Sequence, residues 1–529
     1  MLTSEETPIE GYLGIDNGTQ GLSVVLTDTN LHVLAKGEAK YDFVPNLPEG
    51  CYEQRAEDWD HALSTAMEQA LENLQKKMGD RMSWKPLAIG ISGQMHGECL
   101  IGDDGSILGP VRLWCDARNA DTAEELTQQF QVKVPKRVTC ARFLWTCRER
   151  PELATQVAHI TTPAGWCAFR LTNEFKLGIG EASGMFPMDM THYHYRTDLF
   201  EQYDAALRDS GVSRRMVELL PTPVRAGQNG GYLTAAGAAL LNLPEEWAGI
   251  PVAPAEGDQI AALAGSLIGS AGTISCSFGT SVCANVVGDR PFQGVSAAVD
   301  QYCAADGAPV NMVWLRNGTT FLNTIVESYS TGSNKNEDAF ANMMPQVIDA
   351  PADCGGLLAL PFMDDEPGLH VEQGGSALIV GWNAENAKAG NVAKAALLST
   401  MFNLKMGCQI LDAQGYPRSE LVLTGGLSKT PECGQILADV FNTPVKLLAS
   451  ADEGCSWGAA VLAKYRHLCQ SSESFSLDWA SYLQSLIPPD DETIRFQPIA
   501  DHVREYKAMF TRYQKLIQLQ SQITAATSL

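Results

Sequence analysis

The chain has 529 residues, 45% of them hydrophobic and 19% charged, too many for one comfortable hydrophobic core, so two large globular domains are expected. Its formal net charge of −24 repels phosphate backbones and anionic lipid at long range, which excludes nucleic acid and membrane surfaces as partners. The same charge repels ATP, so a phosphate site here needs local donors, helix N-termini and a divalent cation.

The opening MLTSEETPIEG has neither the basic flank nor the apolar stretch of a secretory signal. The best candidate for a membrane span, Ile260 to Gly272, is short and cut by glycines. A cytoplasmic protein is expected. The 14 cysteines include no Cys-x-x-Cys pair and sit singly in apolar or mixed segments, which predicts buried free thiols rather than a disulfide framework or a metal site.

In chain order, GYLGIDNGTQGLSVVLTD (Gly11 to Asp28) reads as a strand, a Gly-Thr turn and a second strand, and Leu31 to Ala39 as a third. Trp59, Leu63, Met67, Ala70, Leu71 and Leu74 recur at helical spacing up to Met78, and Lys85 to Ser92 returns as a strand. Pro251, Pro254 and Gly257 punctuate the middle, and the domain boundary is placed there, dividing the chain into 1–254 and 255–529. GTISCSFGTSVCANVVGD (Gly272 to Asp289) then repeats the first hairpin's grammar. It is followed by strand Val310 to Arg316, a helix over Ala393 to Leu411, strand Glu420 to Gly426, a helix over Pro431 to Phe441, strand Pro444 to Ala449 and a helix from Ser456. Pro488 and Pro489 mark a loop before a terminal helix whose Val503, Tyr506, Phe510, Tyr513 and Ile517 share a packing face. Strands alternating with helices mean α/β layers, and the recurrence suggests two related domains.

The repeated hairpin is the chemically informative feature. A tight Gly-Thr turn leaves backbone N–H groups and hydroxyls suited to phosphate oxygens, and two such turns facing one another would grip a polyphosphate. No Gly-Lys pair exists in the chain, which excludes a Walker-type loop. Asp16, at a strand end beside the first turn, suits Mg²⁺, and reads otherwise as a turn Asp satisfying its own backbone. Asp258, at a loop-to-helix transition, suits a base that accepts a hydroxyl proton, and reads otherwise as an N-cap. Gln259 suits hydrogen bonding to a neighbouring hydroxyl, and Met95 with His96 in ISGQMHGECL suits the apolar face and the vicinal hydroxyls of a sugar. LWCDAR (Leu113 to Arg118) and YEQRAEDW (Tyr52 to Trp59) add polar and aromatic groups. Gly425 and Gly426 in TGGLSKT allow close approach of a base or ribose, or a helix-packing turn.

Together these segments resemble the FGGY family of carbohydrate kinases, over almost the whole chain and in the family's order. The resemblance implies an α/β fold of two actin-like (ribonuclease H-like) domains flanking a deep cleft, with sugar mainly on the first and ATP mainly on the second. It implies that DNGTQ (Asp16 to Gln20) is the first phosphate motif, with Asp16 positioning the metal and Thr19 and Gln20 binding phosphate. FGTS (Phe278 to Ser281) is then the second, with Gly279 and Thr280, and EGDQ supplies the catalytic base Asp258. RNG (Arg316 to Gly318) and TGG (Thr424 to Gly426) resemble adenosine-side motifs, contributing Gly318, Gly425 and Gly426.

Within the family, GQMHG followed by LWCDAR is most similar to xylulokinases, which implies ATP- and Mg²⁺-dependent phosphorylation of D-xylulose with Met95, His96, Asp258 and Gln259 on the sugar, and a homodimer as the assembly. GEASGMFPMD (Gly180 to Asp189) and PFMDDEPG (Pro361 to Gly368) resemble further family segments. Ser23, the TTPAGWC segment (Thr161 to Cys167) and the Cys of LWCDAR depart from the common pattern, leaving ribulose, sedoheptulose, fuculose or a pentitol open. Glycerol is disfavoured because that branch carries Arg-Glu where Met95 and His96 stand. An actin-like ATPase would share the doubled hairpin but needs neither GQMHG nor EGDQ. A sugar-binding protein descended from a kinase would be expected to have lost Asp16 or Asp258.

Overall fold

The computed structural model describes residues 8–79, 83–329, 336–448, 454–471, 475–488 and 493–527. Residues 1–7, Ala449 at the end of one expected strand and Pro489 of the expected loop lie outside them. The chain forms two compact units, Met1–Gly269 with Tyr302–Pro309 and Asp452–Ile487, and Ser270–Gln301 with Val310–Ala451 and Pro488–Leu529.

The first unit is organised on a five-stranded sheet. β1 (Ile9–Asn17) and β2 (Gly21–Thr27) form the predicted hairpin, and β3 (Val33–Lys40), β4 (Trp84–Gly93) and β5 (Glu256–Gly257) complete the order β5-β4-β1-β2-β3. β1 runs antiparallel to β2 and parallel to β4, which runs parallel to β5. The apolar run of β1 is buried, with Leu13 and Ile15 fully enclosed, as expected of a central strand covered on both faces. The helix Ala56–Met78 buries Trp59, Leu63, Met67, Ala70 and Leu74, the stripe its spacing predicts.

The helix Gly454–Ser471, late in the chain, packs on β1 and β4 of this first sheet. A Cβ on Gly14 would sit 1.8 Å from the Ser456 carbonyl oxygen, so only glycine lets strand and helix backbones meet there. Its facing residues are correspondingly small, including Ser456, Ala459 and Ala460.

The second unit's sheet has β6 (Thr273–Phe278), β7 (Val282–Val287), β8 (Val299–Cys303), β9 (Pro309–Leu315), β10 (Glu420–Gly425), β11 (Val445–Leu448) and β12 (Thr493–Phe496), in the order β8-β9-β7-β6-β10-β11-β12. The β6–β7 hairpin is antiparallel, and β6 runs parallel to β10, which runs parallel to β11. The run β11-β10-β6-β7-β9 therefore repeats the first sheet's order and strand senses, and the recurrence read in the sequence is a recurrence of topology. The helix Ala389–Ala413 is buried along most of its length. The helix Ala500–Ile517 buries Tyr506, Phe510, Tyr513 and Ile517 of the face its periodicity marks, with Val503 half-buried, and a further helix, Gln520–Thr527, follows it.

None of the 14 cysteines, all of them among the described residues, is in a disulfide. Nine are buried, and Cys469 is exposed. Among the described residues no helix is long and apolar enough to cross a membrane.

Candidate active site

In each sheet the chemistry-bearing residues gather at the carboxyl ends of parallel strands, where α/β sheets present ligands. In the first unit Asp16, the last residue but one of β1, stands opposite Ser92 of β4, whose hydroxyl donates to Asp16 Oδ1 at 2.9 Å. The turn beyond Asp16 is braced from outside. Gln54 Nε2 donates to the Thr19 carbonyl at 2.7 Å, Gln94 Nε2 donates to the Gly18 carbonyl at 3.3 Å, and the Tyr41 hydroxyl donates to Asn17 Oδ1 at 2.6 Å. The Thr19 hydroxyl donates to Gln94 Oε1 at 3.3 Å and accepts from Trp114 Nε1 at 3.1 Å, while Gln20 stands exposed at the tip.

Asp258 opens the helix Asp258–Gly265 directly after β5, with Gly257 at the cap position. This local step from strand to helix places a carboxylate at the sheet's edge while its main chain is held by the helix. A Cβ on Gly257 would lie 2.3 Å from both Met95 Cγ and Glu181 Oε2, so the residue before Asp258 packs directly against Met95. Met95 and His96 follow β4 and are both buried, His96 in the left-handed region at φ +72. His96 Nδ1 lies 3.0 Å from the Gly184 carbonyl oxygen. A carbonyl only accepts, so Nδ1 carries the proton in this contact. Gln259 follows Asp258 and hydrogen-bonds it through both backbone and side chain.

The electrostatics of this half-site are those of crowded acids. Burial pushes the Asp258 carboxyl up to about 7, with the neighbouring Asp16 charge adding to the shift. Asp16 is itself pushed up to about 6 by burial, against the Ser92 hydrogen bond that favours its ionised form. Among the described residues no Lys or Arg contributes to either shift. A hard divalent cation with oxygen ligands fits this donor set, because it would supply the positive charge that these residues do not.

In the second unit the turn after β6 exposes Gly279 and Thr280, and the end of β10 exposes Gly425 and Gly426 beside it, Phe278 pairing with Gly425. Gly318 is buried beneath the turn. Its N–H donates to the Thr280 carbonyl at 3.0 Å, and a Cβ there would lie 2.4 Å from the Gly279 carbonyl oxygen. Thr319 donates its N–H and its hydroxyl to that same oxygen at 2.7 and 2.9 Å. The PFMDDEPG segment holds the RNG segment in turn, since Asn317 donates its N–H to Glu366 Oε2 at 3.0 Å and its Nδ2 to the Asp364 carbonyl at 3.0 Å.

The structure thus brings Asp16, Thr19, Gln20, Met95, His96, Asp258 and Gln259 onto the first unit, and Gly279, Thr280, Gly318, Gly425 and Gly426 onto the second. LWCDAR contributes Trp114 to the first turn, but its Asp116 and Arg118 form an internal ion network with Glu53 rather than open polar groups. Ser92, Gln54, Gln94 and the buried acids Glu181 and Glu256 were not singled out by the sequence. Their only local signal is polarity within otherwise apolar or small-residue segments, as in GEASGMF.

Two family models match the chain: the N-terminal domain of the FGGY family of carbohydrate kinases over residues 11–265 and its C-terminal domain over residues 274–467. The xylulose kinase of Haemophilus influenzae is 25% identical over 516 residues, covering 95% of this chain and 98% of that protein. The solved xylulose kinase of Rhodospirillum rubrum superposes with a TM-score of 0.80 at 20% identity, covering 97% of this chain and 99% of that one. A gluconate kinase from Lactobacillus acidophilus superposes with a TM-score of 0.81 at 17% identity, covering 98% and 100%. The fold is therefore common to kinases of different sugars.

Proposed function

Because the chain belongs to the FGGY family of carbohydrate kinases, we propose that it moves the γ-phosphoryl group of ATP to a hydroxyl of a ketose, with D-xylulose, giving D-xylulose 5-phosphate, as the preferred acceptor. The observation that carries the reading is Asp258, held at the head of a helix with its carboxyl pushed up to about 7 and its preceding residue packed on Met95. Similarity to xylulose kinases over nearly the whole chain supports the choice of sugar.

In this reading the sugar docks on Met95, His96, Asp258 and Gln259. Asp258 accepts the hydroxyl proton as that oxygen bonds to the γ-phosphorus and the bond from phosphorus to the β–γ bridging oxygen breaks. A base with a pKa near neutrality is well matched to this work, being ionised in a useful fraction yet basic enough to take the proton. His96 orients a second hydroxyl through its ring, and Met95 lines the carbon face. Gln20 and the main chain around Thr19 serve as phosphate donors on the first unit. Gly279 and Thr280 serve on the second, with Gly425 and Gly426 receiving the adenosine and Gly318 supporting the turn. Asp16 would hold Mg²⁺, which supplies charge neutralisation to the phosphates when bound.

The test is a phosphorylation screen with ATP and Mg²⁺ over xylulose, ribulose, sedoheptulose, fuculose, gluconate, glycerol and pentitols. The expected result is the highest kcat/KM with D-xylulose. A clear preference for another compound would replace the proposed sugar, and steady ATP hydrolysis indifferent to every sugar would overturn the kinase mechanism.

A further inference from the structure

Beneath Met95 and His96 lie two acids that the transfer chemistry does not use. Glu181, on the short helix Ile179–Ala182, and Glu256, on β5, are both fully buried. Glu256 accepts the N–H groups of Gly180 and Glu181 at 3.3 and 2.8 Å. Glu181 Oε1 then accepts the His96 N–H at 3.1 Å, and the His96 ring closes back on the Gly184 carbonyl. These contacts link β5, the strand that runs into Asp258, to the turn that carries His96. That turn holds His96 in a left-handed conformation that a residue with a Cβ seldom adopts unaided, so an external hold is needed.

The other oxygen, Glu181 Oε2, is buried against Gly257 and has no hydrogen-bond partner among the described residues. The His96 N–H and the Thr162 hydroxyl favour the ionised form, but complete burial and two neighbouring acids oppose it, and a protonated carboxyl places no charge in the interior. Among the described residues the groups that act on it include no Lys or Arg: Asp258 and Glu256 are acidic, and the Thr162 hydroxyl, the Cys99 thiol, the Tyr195 phenol and the His96 N–H stand with them. Burial pushes the Glu181 carboxyl well above its ordinary range against the hydrogen bonds from the His96 N–H and the Thr162 hydroxyl, and the two neighbouring acids add to the rise.

We propose that Glu181 is a positioning residue of the sugar site, a neutral carboxylic acid that fixes the His96 main chain relative to β5 and so sets where the imidazole meets the sugar. The sugar half of this inference rests on the reading of His96 given above, and the main-chain half does not.

The experiment compares the full-length protein with Glu181→Gln, Glu181→Ala and Glu181→Asp, reading amide hydrogen exchange at His96 and the KM values for sugar and ATP. Gln is neutral and keeps the accepting oxygen, so it should leave His96 protection and sugar KM within about twofold. Ala lacks the acceptor and Asp falls one methylene short. Both should speed His96 exchange and raise sugar KM about tenfold, with ATP KM unchanged. If Gln behaves like Ala, the ionised form is the working one and the proposal is wrong. Unchanged exchange in Ala and Asp removes the positioning role, and equal rises in both KM values would mark a general disturbance instead. Should the wild-type enzyme phosphorylate no sugar, the functional reading has failed while the exchange measurement still decides the main-chain half. Should Ala not fold, the contrast between Gln and Asp decides.

Discussion

The Ser92 hydroxyl donates to Asp16 Oδ1 at 2.9 Å across the parallel pair of β1 and β4. Among the described residues it is the one side-chain hydrogen bond that favours ionised Asp16, against the burial that pushes this carboxyl up to about 6. Ser92→Ala should therefore raise the Mg²⁺ concentration needed for half-maximal activity by about tenfold, given the worth of a hydrogen bond to a charged group. A Mg²⁺ titration at fixed ATP and sugar checks this, with sugar KM expected to stay unchanged.

Asp258→Asn should lower kcat by about a thousandfold, within the usual contribution of a positioned base, while sugar and ATP still bind. In the wild type, kcat/KM should rise with pH through about 7, since the base works only when ionised and burial holds its pKa there. A pH–rate profile with no inflection between 6 and 8 would contradict the assignment.

Asp16, Asp258 and Glu256 are pushed up to about 6, 7 and 8, each by burial first. Each binds its proton more tightly folded than unfolded, so its contribution to stability is complete below about pH 4 and is lost as the pH rises through those values. The ligand-free protein should melt at falling temperature from pH 5 to 8.5. Glu256→Gln should flatten the upper part of that fall, which a melting series in matched buffers measures.

Gly318→Ala would set a Cβ 2.4 Å from the Gly279 carbonyl oxygen, and the turn after β6 would have to move. A loss of about 1–3 kcal/mol in stability is expected from such overpacking. ATP KM should rise several-fold while sugar KM holds, as steady-state kinetics with each substrate varied would reveal.

Much of this architecture was legible because its signals are local. A Gly-Thr turn between apolar strands announces a hairpin wherever it occurs, and Asp16 and Asp258 each stand at an element end that neighbouring residues define. The burial of Glu181 and Glu256 was not legible, because it depends on Gly180 and His96, the latter 85 positions from Glu181, arriving at the same carboxyls. Nor was the fate of Asp116 and Arg118, whose charges are engaged by Glu53 from another segment. The tie between RNG and PFMDDEPG was likewise hidden, since the sequence marks both segments without saying that Asn317 joins them.

The packing of Gly14 against Ser456 means that the amino-terminal β-sheet receives one of its covering layers only after more than 450 residues have been made. During synthesis the nascent first half must therefore wait with apolar strand surface uncovered, a state that invites aggregation or chaperone capture. Release of the finished polypeptide, rather than emergence of the first sheet, should mark the onset of protease resistance. A fragment ending before Gly454 should remain aggregation-prone however long it is given to mature.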